Sequence, residues 1–175
     1  MKKVRVSAIQ FDIKLGDLKK NIDKAFKMIG KALTRKSNLI VMPEMWPVGF
    51  DYSTLKSGSN TYYKELLSII GDLAHKGSAY IVAGSLAEVS DGKLFNTSFL
   101  VGPSGDVLGK YQQIHLFPEL KEAQFFSQGK YPTVIETKIG RIGFAICFDV
   151  RFPEVFRNEA LQNAQIVCVP AQFPQ

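Results

Sequence analysis

Three side chains with nucleophilic or acid–base chemistry follow apolar, strand-like segments at separate points of the chain. Glu44 comes two residues after the apolar run 39–42, Cys147 comes directly after the apolar segment 143–146, and His115 ends another strand-like stretch. Open α/β sheets place their ligand sites at the carboxyl ends of strands. A thiol that meets a carboxylate or an imidazole at such an edge is suited to covalent catalysis.

Each of the first two residues has a functional and a structural interpretation. Cys147 lies shortly before a predicted helix that starts near Pro153, and a helix N-terminus favours the thiolate. The alternative is a buried structural cysteine, which is the interpretation we give to Cys168. Glu44 is either a general base whose pKa is raised by burial or a salt-bridged, loop-capping residue.

The segment that ends at His115 has the alternation of a strand. Tyr111, Gln113 and His115 are predicted to share one face, and Lys110 to lie on the opposite face with Gln112 and Ile114. Cys147 and His115 are compatible with a Cys–His nucleophile pair. Spacing alone does not single that pair out, because any two such residues would qualify.

The elements that must position these side chains follow from hydrophobic periodicity. The pattern predicts strands at 4–9, 39–42, 80–83, 94–101, 107–115, 133–136, 141–146 and 166–169, and helices at 20–34, 61–76 and 153–163. The connection at 102–106, Gly-Pro-Ser-Gly-Asp, is typical of a hairpin and makes its flanking strands antiparallel. We therefore predict an α/β protein with a mixed sheet.

Composition excludes several classes of protein. The 175 residues are 46% apolar with a net charge of +6, which is too apolar and too weakly charged for a disordered chain. No apolar run approaches the roughly 20 residues that span a bilayer, and Asp12 comes too early for a signal peptide. Two cysteines provide neither a disulfide framework nor a zinc motif. We expect a soluble, cytoplasmic protein without membrane contact.

The positive charge is concentrated in residues 1–36, which hold eleven Lys or Arg and three Asp. An apolar stripe at helical spacing, 22–33, runs between these lysines. This pattern favours the solvated face of an outer helix over a nucleic-acid surface, and we expect no nucleic-acid partner.

Three segments, taken together, resemble the signature blocks of the nitrilase (carbon–nitrogen hydrolase) superfamily. They are Met42-Pro43-Glu44, Gly109 to Phe117, and Ile146 to Glu154. The resemblance is to the amidase-like branch, which includes the omega-amidases. It implies an α-β-β-α sandwich and hydrolysis of non-peptide C–N bonds in small amides by a Glu-Lys-Cys triad. It implies no metal and no organic cofactor.

The resemblance also assigns roles to residues of this chain. Cys147 would be the nucleophile that forms a thioester and releases ammonia, and Glu44 the general base. Glu122 matches the family's second, orienting glutamate better than Glu119 does. The backbone N–H of Phe148 would help to hold the oxyanion.

One position departs from the family pattern. Gln113 stands where the family has its catalytic lysine, and Lys110 is a poor substitute because it is predicted to lie on the other face. A glutamine amide donates a hydrogen bond but brings no charge, and losing one oxyanion donor costs on the order of 10²–10³ in rate. The alternative to an enzyme is therefore a catalytically silent subunit that acts in binding or assembly.

The residues after Cys147 bear on the substrate. The run Phe148-Asp149-Val150-Arg151 resembles amidases that act on ω-amides of dicarboxylic acids. Arg151 is able to pair bidentately with a substrate carboxylate. Its structural alternative is an ion pair with Glu154 or another carboxylate.

The resemblance places the whole chain, 1–175, in one carbon–nitrogen hydrolase domain. Family members are longer, so we expect this chain to hold about two thirds of the sandwich, incomplete at the C-terminus. The remainder would belong to a longer chain or to a second polypeptide. By analogy with the family, we expect a homodimer or a higher homo-oligomer that acts on a small-molecule amide.

Overall fold

The computed structural model describes residues 3–173, apart from the side chains of 56–61. The expected domain, 1–175, thus includes four terminal residues that lie outside the described part. The strands are β1 Val6–Ala8, β2 Leu39–Val41, β3 Tyr80–Ser90, β4 Lys93–Val101, β5 Val107–Gln112, β6 Val134–Thr137, β7 Gly140–Phe144 and β8 Ile166–Cys168. The helices are α1 Leu18–Thr34, α2 Tyr52–Gly77 and α3 Pro153–Leu161, with 3-10 turns at Glu122–Gln124 and Cys147–Arg151.

The strands form two mixed sheets. The first has the order β1-β2-β3-β4-β5, in which β1, β2 and β3 are parallel and β3, β4 and β5 are antiparallel. The second has the order β6-β7-β8, with an antiparallel and then a parallel pair. The predicted hairpin at 102–106 is confirmed, since Val101 pairs with Val107 across it.

The two sheets face one another across an apolar layer. The first sheet contributes Leu39, Tyr80, Val82, Leu100 and Tyr111, and the second contributes Ile142, Phe144 and Cys168. Helices α1 and α2 cover the other side of the first sheet, and α3 packs on β7 of the second. The architecture is the α-β-β-α sandwich that the resemblance implied.

Helix α1 has the amphipathic pattern predicted for it. Ala25, Ile29 and Ala32 are buried, whereas the lysines between them face solvent. Asp17 accepts a hydrogen bond from the backbone N–H of Lys20 and caps the helix. The basic stretch at the start of the chain is therefore largely the solvated face of a packed helix.

Helix α2 begins at Tyr52, nine residues before the predicted start at Thr61. The prediction was wrong because the polar, glycine-containing stretch 52–60 has no apolar period. The helix start is fixed instead by Asp51, whose side chain accepts the backbone N–H of Ser53. Within the described part of the chain, no helix is long and apolar enough to cross a membrane.

Gly84 brings the middle of the first sheet against the loop that follows β2. Its φ is +71°, and a Cβ there would lie 2.0 Å from the carbonyl oxygen of Pro43. Only glycine permits this approach without moving the backbone. The contact fixes the loop that carries Glu44.

Candidate active site

Glu44 lies at the carboxyl end of β2 and is completely buried. The loop that carries it is fastened to β3 by two hydrogen bonds, from Met45 N–H to Ser85 Oγ at 3.1 Å and from Trp46 Nε1 to the Ala83 carbonyl at 2.8 Å. Apolar β2 therefore delivers a carboxylate to the interior, and the loop cannot withdraw it to solvent.

Cys147 is the first residue of a 3-10 turn. Ala145 and Ile146 separate this turn from the end of β7 at Phe144. Its φ is +40°, an uncommon value for a residue with a side chain. The Cys147 N–H donates to the Pro170 carbonyl at 2.9 Å, and the Ile146 N–H donates to Asp149 Oδ2 at 3.0 Å. The thiol is thus presented on a sharp turn that backbone hydrogen bonds hold in place.

Asp149 clamps this turn to the end of β5. Its carboxylate also accepts the Tyr111 hydroxyl at 2.7 Å and the backbone N–H of His115 at 2.9 Å. The ring of His115 lies 2.8 Å from the same carboxylate and stacks on Phe152. The structure therefore pairs His115 with Asp149, and among the described residues no hydrogen bond joins His115 to Cys147, so the Cys–His interpretation gains no support.

The Glu44 carboxylate accepts two hydrogen bonds inside the site. Oε1 accepts Asn96 Nδ2 and Oε2 accepts the backbone N–H of Gln172, both at 2.9 Å. The Cys147 thiol lies close enough for each group to shift the pKa of the other, and its Sγ is 3.9 Å from the Gln172 carbonyl oxygen. Burial first, and the charge of Glu122 second, raise the pKa of Glu44 to about 8. The structure thus brings two predicted site residues, Glu44 and Cys147, to the same point, on either side of the Gln172 backbone.

Glu122 is buried next to this pair, whereas Glu119 is exposed. Glu122 Oε2 accepts the backbone N–H of Phe117 at 2.8 Å. Burial raises the pKa of Glu122 to about 7. In the described part of the chain, neither Glu44 nor Glu122 forms a salt bridge.

The two cysteines differ in their surroundings. Burial and the neighbouring Glu44 raise the pKa of the Cys147 thiol, so the expected thiolate-favouring environment is not present. The cause is burial of the thiol first and the negative charge of Glu44 second, both of which disfavour the thiolate. Cys168 is buried in the layer between the sheets, as the structural interpretation predicted.

Gln113 is buried beside Glu44, and its amide is already engaged. Oε1 accepts Asn96 Nδ2 at 2.9 Å, and Nε2 donates to the His115 carbonyl at 2.9 Å. Lys110 is directed elsewhere, since its ammonium lies 2.6 Å from Glu88 and is partly exposed. The predicted separation of Gln113 and Lys110 onto opposite faces is therefore observed.

A small cavity of about 50 Å³ opens beside the thiol. Aromatic rings supply much of its lining, among them Phe50, Phe117 and Phe148. Arg151 also lines it, with its guanidinium 5.7 Å from the centre of the Phe148 ring. Among the described residues, no carboxylate lies within ion-pair distance of Arg151, so the expected alternative of a pair with Glu154 is not seen.

Two site residues have no predicted role in the sequence. The Asn96 amide bridges Glu44 and Gln113. An asparagine between the hydrophobic residues of a predicted strand is the sequence signal for such a buried polar group. Gln172 approaches Glu44 from 128 positions away, and no local pattern indicates that contact. Across the described residues, no cluster of three or more His, Cys, Asp or Glu side chains is arranged to hold a metal.

The chain is similar in sequence and in fold to known proteins. Residues 5–175 match the family model described as carbon-nitrogen hydrolase, and the chain belongs to that family. Its fold is that of the nitrilase superfamily. The solved structure of Nit3 from Saccharomyces cerevisiae, a member of branch 10 of that superfamily, superposes with a TM-score of 0.88 at 26% identity, covering 98% of this chain and 65% of Nit3.

Two curated relatives are similar along almost the whole chain. A protein called "hydrolase in agr operon" from Staphylococcus aureus is 33% identical over 173 residues, which cover 98% of this chain and 66% of the relative. The 2-oxoglutaramate amidase of Bacillus subtilis is 30% identical over 169 residues, covering 97% of this chain and 65% of the relative. The chain thus spans slightly less than two thirds of the length of these relatives.

Proposed function

We propose that this chain carries the catalytic site of an amidase that hydrolyses the C–N bond of small linear amides. The observation that carries the proposal is that the buried Glu44 carboxylate and the Cys147 thiol meet at the backbone of Gln172 and shift each other's pKa. A carboxylate whose pKa is about 8 is a base matched to neutral pH. The similarity to an enzyme named as an amidase supports the same reaction class.

The proposed reaction has two halves. Glu44 takes the thiol proton while Sγ of Cys147 attacks the amide carbonyl carbon. The C–N bond then breaks, the proton passes from Glu44 to the leaving nitrogen, and ammonia departs from a thioester on Cys147. In the second half Glu44 takes a proton from water, the resulting hydroxide attacks the thioester, and the carboxylic acid and the thiol are released.

The raised thiol pKa determines how the first half proceeds. Cys147 rests as a neutral thiol, because ionisation beside Glu44 would place two negative charges together in a buried site. Proton transfer to Glu44 therefore accompanies the attack. Glu122 is the proposed orienting residue: its charge contributes to the raised pKa of Glu44 and keeps that carboxyl a strong enough base.

The tetrahedral intermediate carries a negative oxygen that needs donors. The proposed donor is the backbone N–H of Phe148, which lies in the first turn of the 3-10 helix, where N–H groups lack helical acceptors. Gln113 occupies the position of the family's lysine, but its Nε2 donates to the His115 carbonyl. We therefore infer a slow enzyme that lacks one charged oxyanion donor.

The proposed substrate is the ω-amide of a dicarboxylic acid. Arg151 lines the cavity beside Cys147 and is free of a carboxylate partner among the described residues. A substrate with a carboxylate at one end and an amide at the other would satisfy both groups. The relative from Bacillus subtilis has the name of an enzyme for such a compound.

The engaged amide of Gln113 also favours a second candidate, a catalytically silent subunit that binds amides or partners without turnover. Ammonia release separates the two. We expect slow, Cys147-dependent release from a panel of ω-amides, and an increase on the order of 10²-fold in Gln113→Lys, because lysine restores a positive charge to a dry site. Cys147→Ala is the control and should abolish release.

Three outcomes are informative. Release by the parent chain that disappears in Cys147→Ala supports the amidase. Release by Gln113→Lys alone supports the silent subunit, with an intact but disabled site. Absence of release from both rejects the amidase proposal. Iodoacetamide should also modify Cys147 faster than Cys168, which is buried between the sheets, and equal rates would contradict the choice of nucleophile.

A further inference from the structure

Asn96 joins the candidate base to the residue that follows β5. It lies in β4 and is completely buried. Its Nδ2 donates to Glu44 Oε1 and to Gln113 Oε1, both at 2.9 Å. Its backbone carbonyl accepts the Gln113 N–H, also at 2.9 Å. A single side chain therefore fixes one oxygen of the Glu44 carboxylate relative to the first sheet.

The orientation of the Asn96 carboxamide follows from these two partners. An amide nitrogen carries two hydrogens, and each of them has one acceptor here. The reversed amide would place Oδ1 against two other oxygens, Glu44 Oε1 and Gln113 Oε1. In the observed orientation Oδ1 is buried, and within the described part of the chain nothing donates a hydrogen bond to it. Asn96 thus satisfies acceptors on both neighbours, although its own oxygen is left unpaired.

The surroundings of Glu44 make this donor important for the charge of the carboxylate. Among the described residues, the titratable side chains that face Glu44 are Cys147, Glu122 and Tyr52, and none of them carries a positive charge. Burial and the charge of Glu122 raise the pKa of Glu44, whereas the hydrogen bonds from Asn96 and from a backbone N–H lower that pKa. Neutral donors therefore provide stabilisation of the carboxylate that a cation would otherwise supply.

We propose that Asn96 is a positioning residue, which directs Glu44 Oε1 and stabilises the ionised carboxylate that takes the thiol proton. This inference rests on the proposed amidase function. As far as the structure describes the chain, Asn96 is not part of the lining of the cavity beside Cys147. It therefore acts through Glu44 and not on the substrate.

Alkylation of Cys147 by iodoacetamide tests this role without turnover of an amide. The bond between Sγ and the methylene carbon forms, iodide leaves, and Glu44 takes the thiol proton, so the rate depends on the ionised fraction of Glu44. In the parent chain the rate should rise with pH and level off above about pH 8. Asn96→Leu keeps the shape of the side chain and removes the donor. It should move this rising limb to higher pH by about one unit or more, the effect of one hydrogen bond to a charged group.

Ser98→Ala is the matched control for the alkylation profile. Ser98 lies two positions further along β4 and is equally buried, and its Oγ has no hydrogen-bond partner among the residues that the structure describes. This variant should leave the rising limb unchanged. Asn96→Ala removes the same donor with a smaller side chain and must move the limb in the same direction as Asn96→Leu. If circular dichroism shows that Asn96→Leu does not fold, Asn96→Ala carries the test.

The position of the rising limb separates positioning of Glu44 from a structural role of Asn96. An unmoved limb in the Asn96 variants, or an equal fall of the rate at every pH, overturns the inference and leaves the amidase proposal standing. If the limb moves while neither the parent chain nor Gln113→Lys releases ammonia from ω-amides, the amidase proposal fails and the positioning of Glu44 stands. Mass spectrometry of the peptide that contains Cys147 measures the rates between pH 6 and 10.

Discussion

At the scale of single residues, the proposed chemistry depends on carboxylates that are buried away from water. An exposed glutamate has a pKa of about 4.5, whereas burial raises the pKa of Glu44 to about 8. Glu44 therefore keeps its proton up to about that pH. The family's lysine would oppose that shift, because a nearby cation favours the charged carboxylate. The uncharged Gln113 side chain does not oppose this rise in the pKa of Glu44. The substitution therefore affects the base as well as the oxyanion.

The pH dependence of the proposed amide hydrolysis follows from this pKa. Glu44 must be ionised to accept the thiol proton, so kcat/KM should rise about tenfold per pH unit below pH 8 and level off above it. Gln113→Lys should move this limb to lower pH. Initial rates between pH 5.5 and 9 measure both curves.

Glu44→Gln provides the matched control for that profile. It keeps the size of the side chain, removes the base, and should lower kcat/KM by on the order of 10²–10⁴. A pH limb that persists unchanged in whatever activity Glu44→Gln retains would assign the ionisation to another group.

At the scale of elements, strand ends and the loops behind them set the position of the site. The strand pattern of the sequence predicted all eight strands to within a few residues, with β3 longer than expected. The 3-10 turn at Cys147 was not predicted, because it depends on Asp149 meeting Tyr111 and His115 from another strand. Such contacts between distant elements have no local sequence pattern.

The approach of Gly84 to Pro43 offers a test at this scale. A Cβ at position 84 would lie 2.0 Å from the Pro43 carbonyl oxygen and would displace the loop that carries Glu44. Gly84→Ala should therefore lower the free energy of unfolding by more than about 1–3 kcal/mol. It should also reduce the proposed amidase activity. Urea unfolding and ammonia release are the measurements.

Gly92→Ala is a matched control for this substitution. Gly92 has the same φ of +71°, but nothing lies within 4 Å of its Cβ position. It reports the backbone strain alone, and the difference between the two variants reports the clash. Equal losses of stability would show that the contact with Pro43 has no influence on the loop.

At the scale of the whole molecule, three buried carboxyls make folding depend on pH. Burial raises the pKa of Glu44 to about 8, and those of Glu122 and Glu159 to about 7. Between pH 4.5 and these values the folded state holds protons that the unfolded state has lost. The unfolding free energy should therefore fall as pH rises through this range.

Thermal melts between pH 5 and 8 test this expectation. Tm should decrease with rising pH in the parent chain. Glu159→Gln should reduce the slope, because it removes one of the three carboxyls while keeping an oxygen for the Phe144 N–H bond. Glu119→Gln, at an exposed carboxyl, should leave the slope as it is. A Tm that rises across the same range would contradict the assignment of these protons.

The sandwich and the site residues Glu44 and Cys147 could be predicted from the sequence, because strand patterns and three short motifs indicate them. Gln172 was not, since the chain must fold before residues 128 positions apart become neighbours.

The 128 positions between Glu44 and Gln172 also determine when the two residues are synthesised. Ribosomes add roughly 5–20 residues per second, so Glu44 emerges on the order of ten seconds before Gln172 does. β1, α1 and β2 are synthesised before Glu44, α2 and the remaining strands of the first sheet follow within that interval, and the turn with Cys147 comes after them. For that time the nascent chain carries the Glu44 carboxyl group without the Cys147 thiol or the Gln172 backbone N–H. The candidate site is complete only when the segment that holds both has been synthesised.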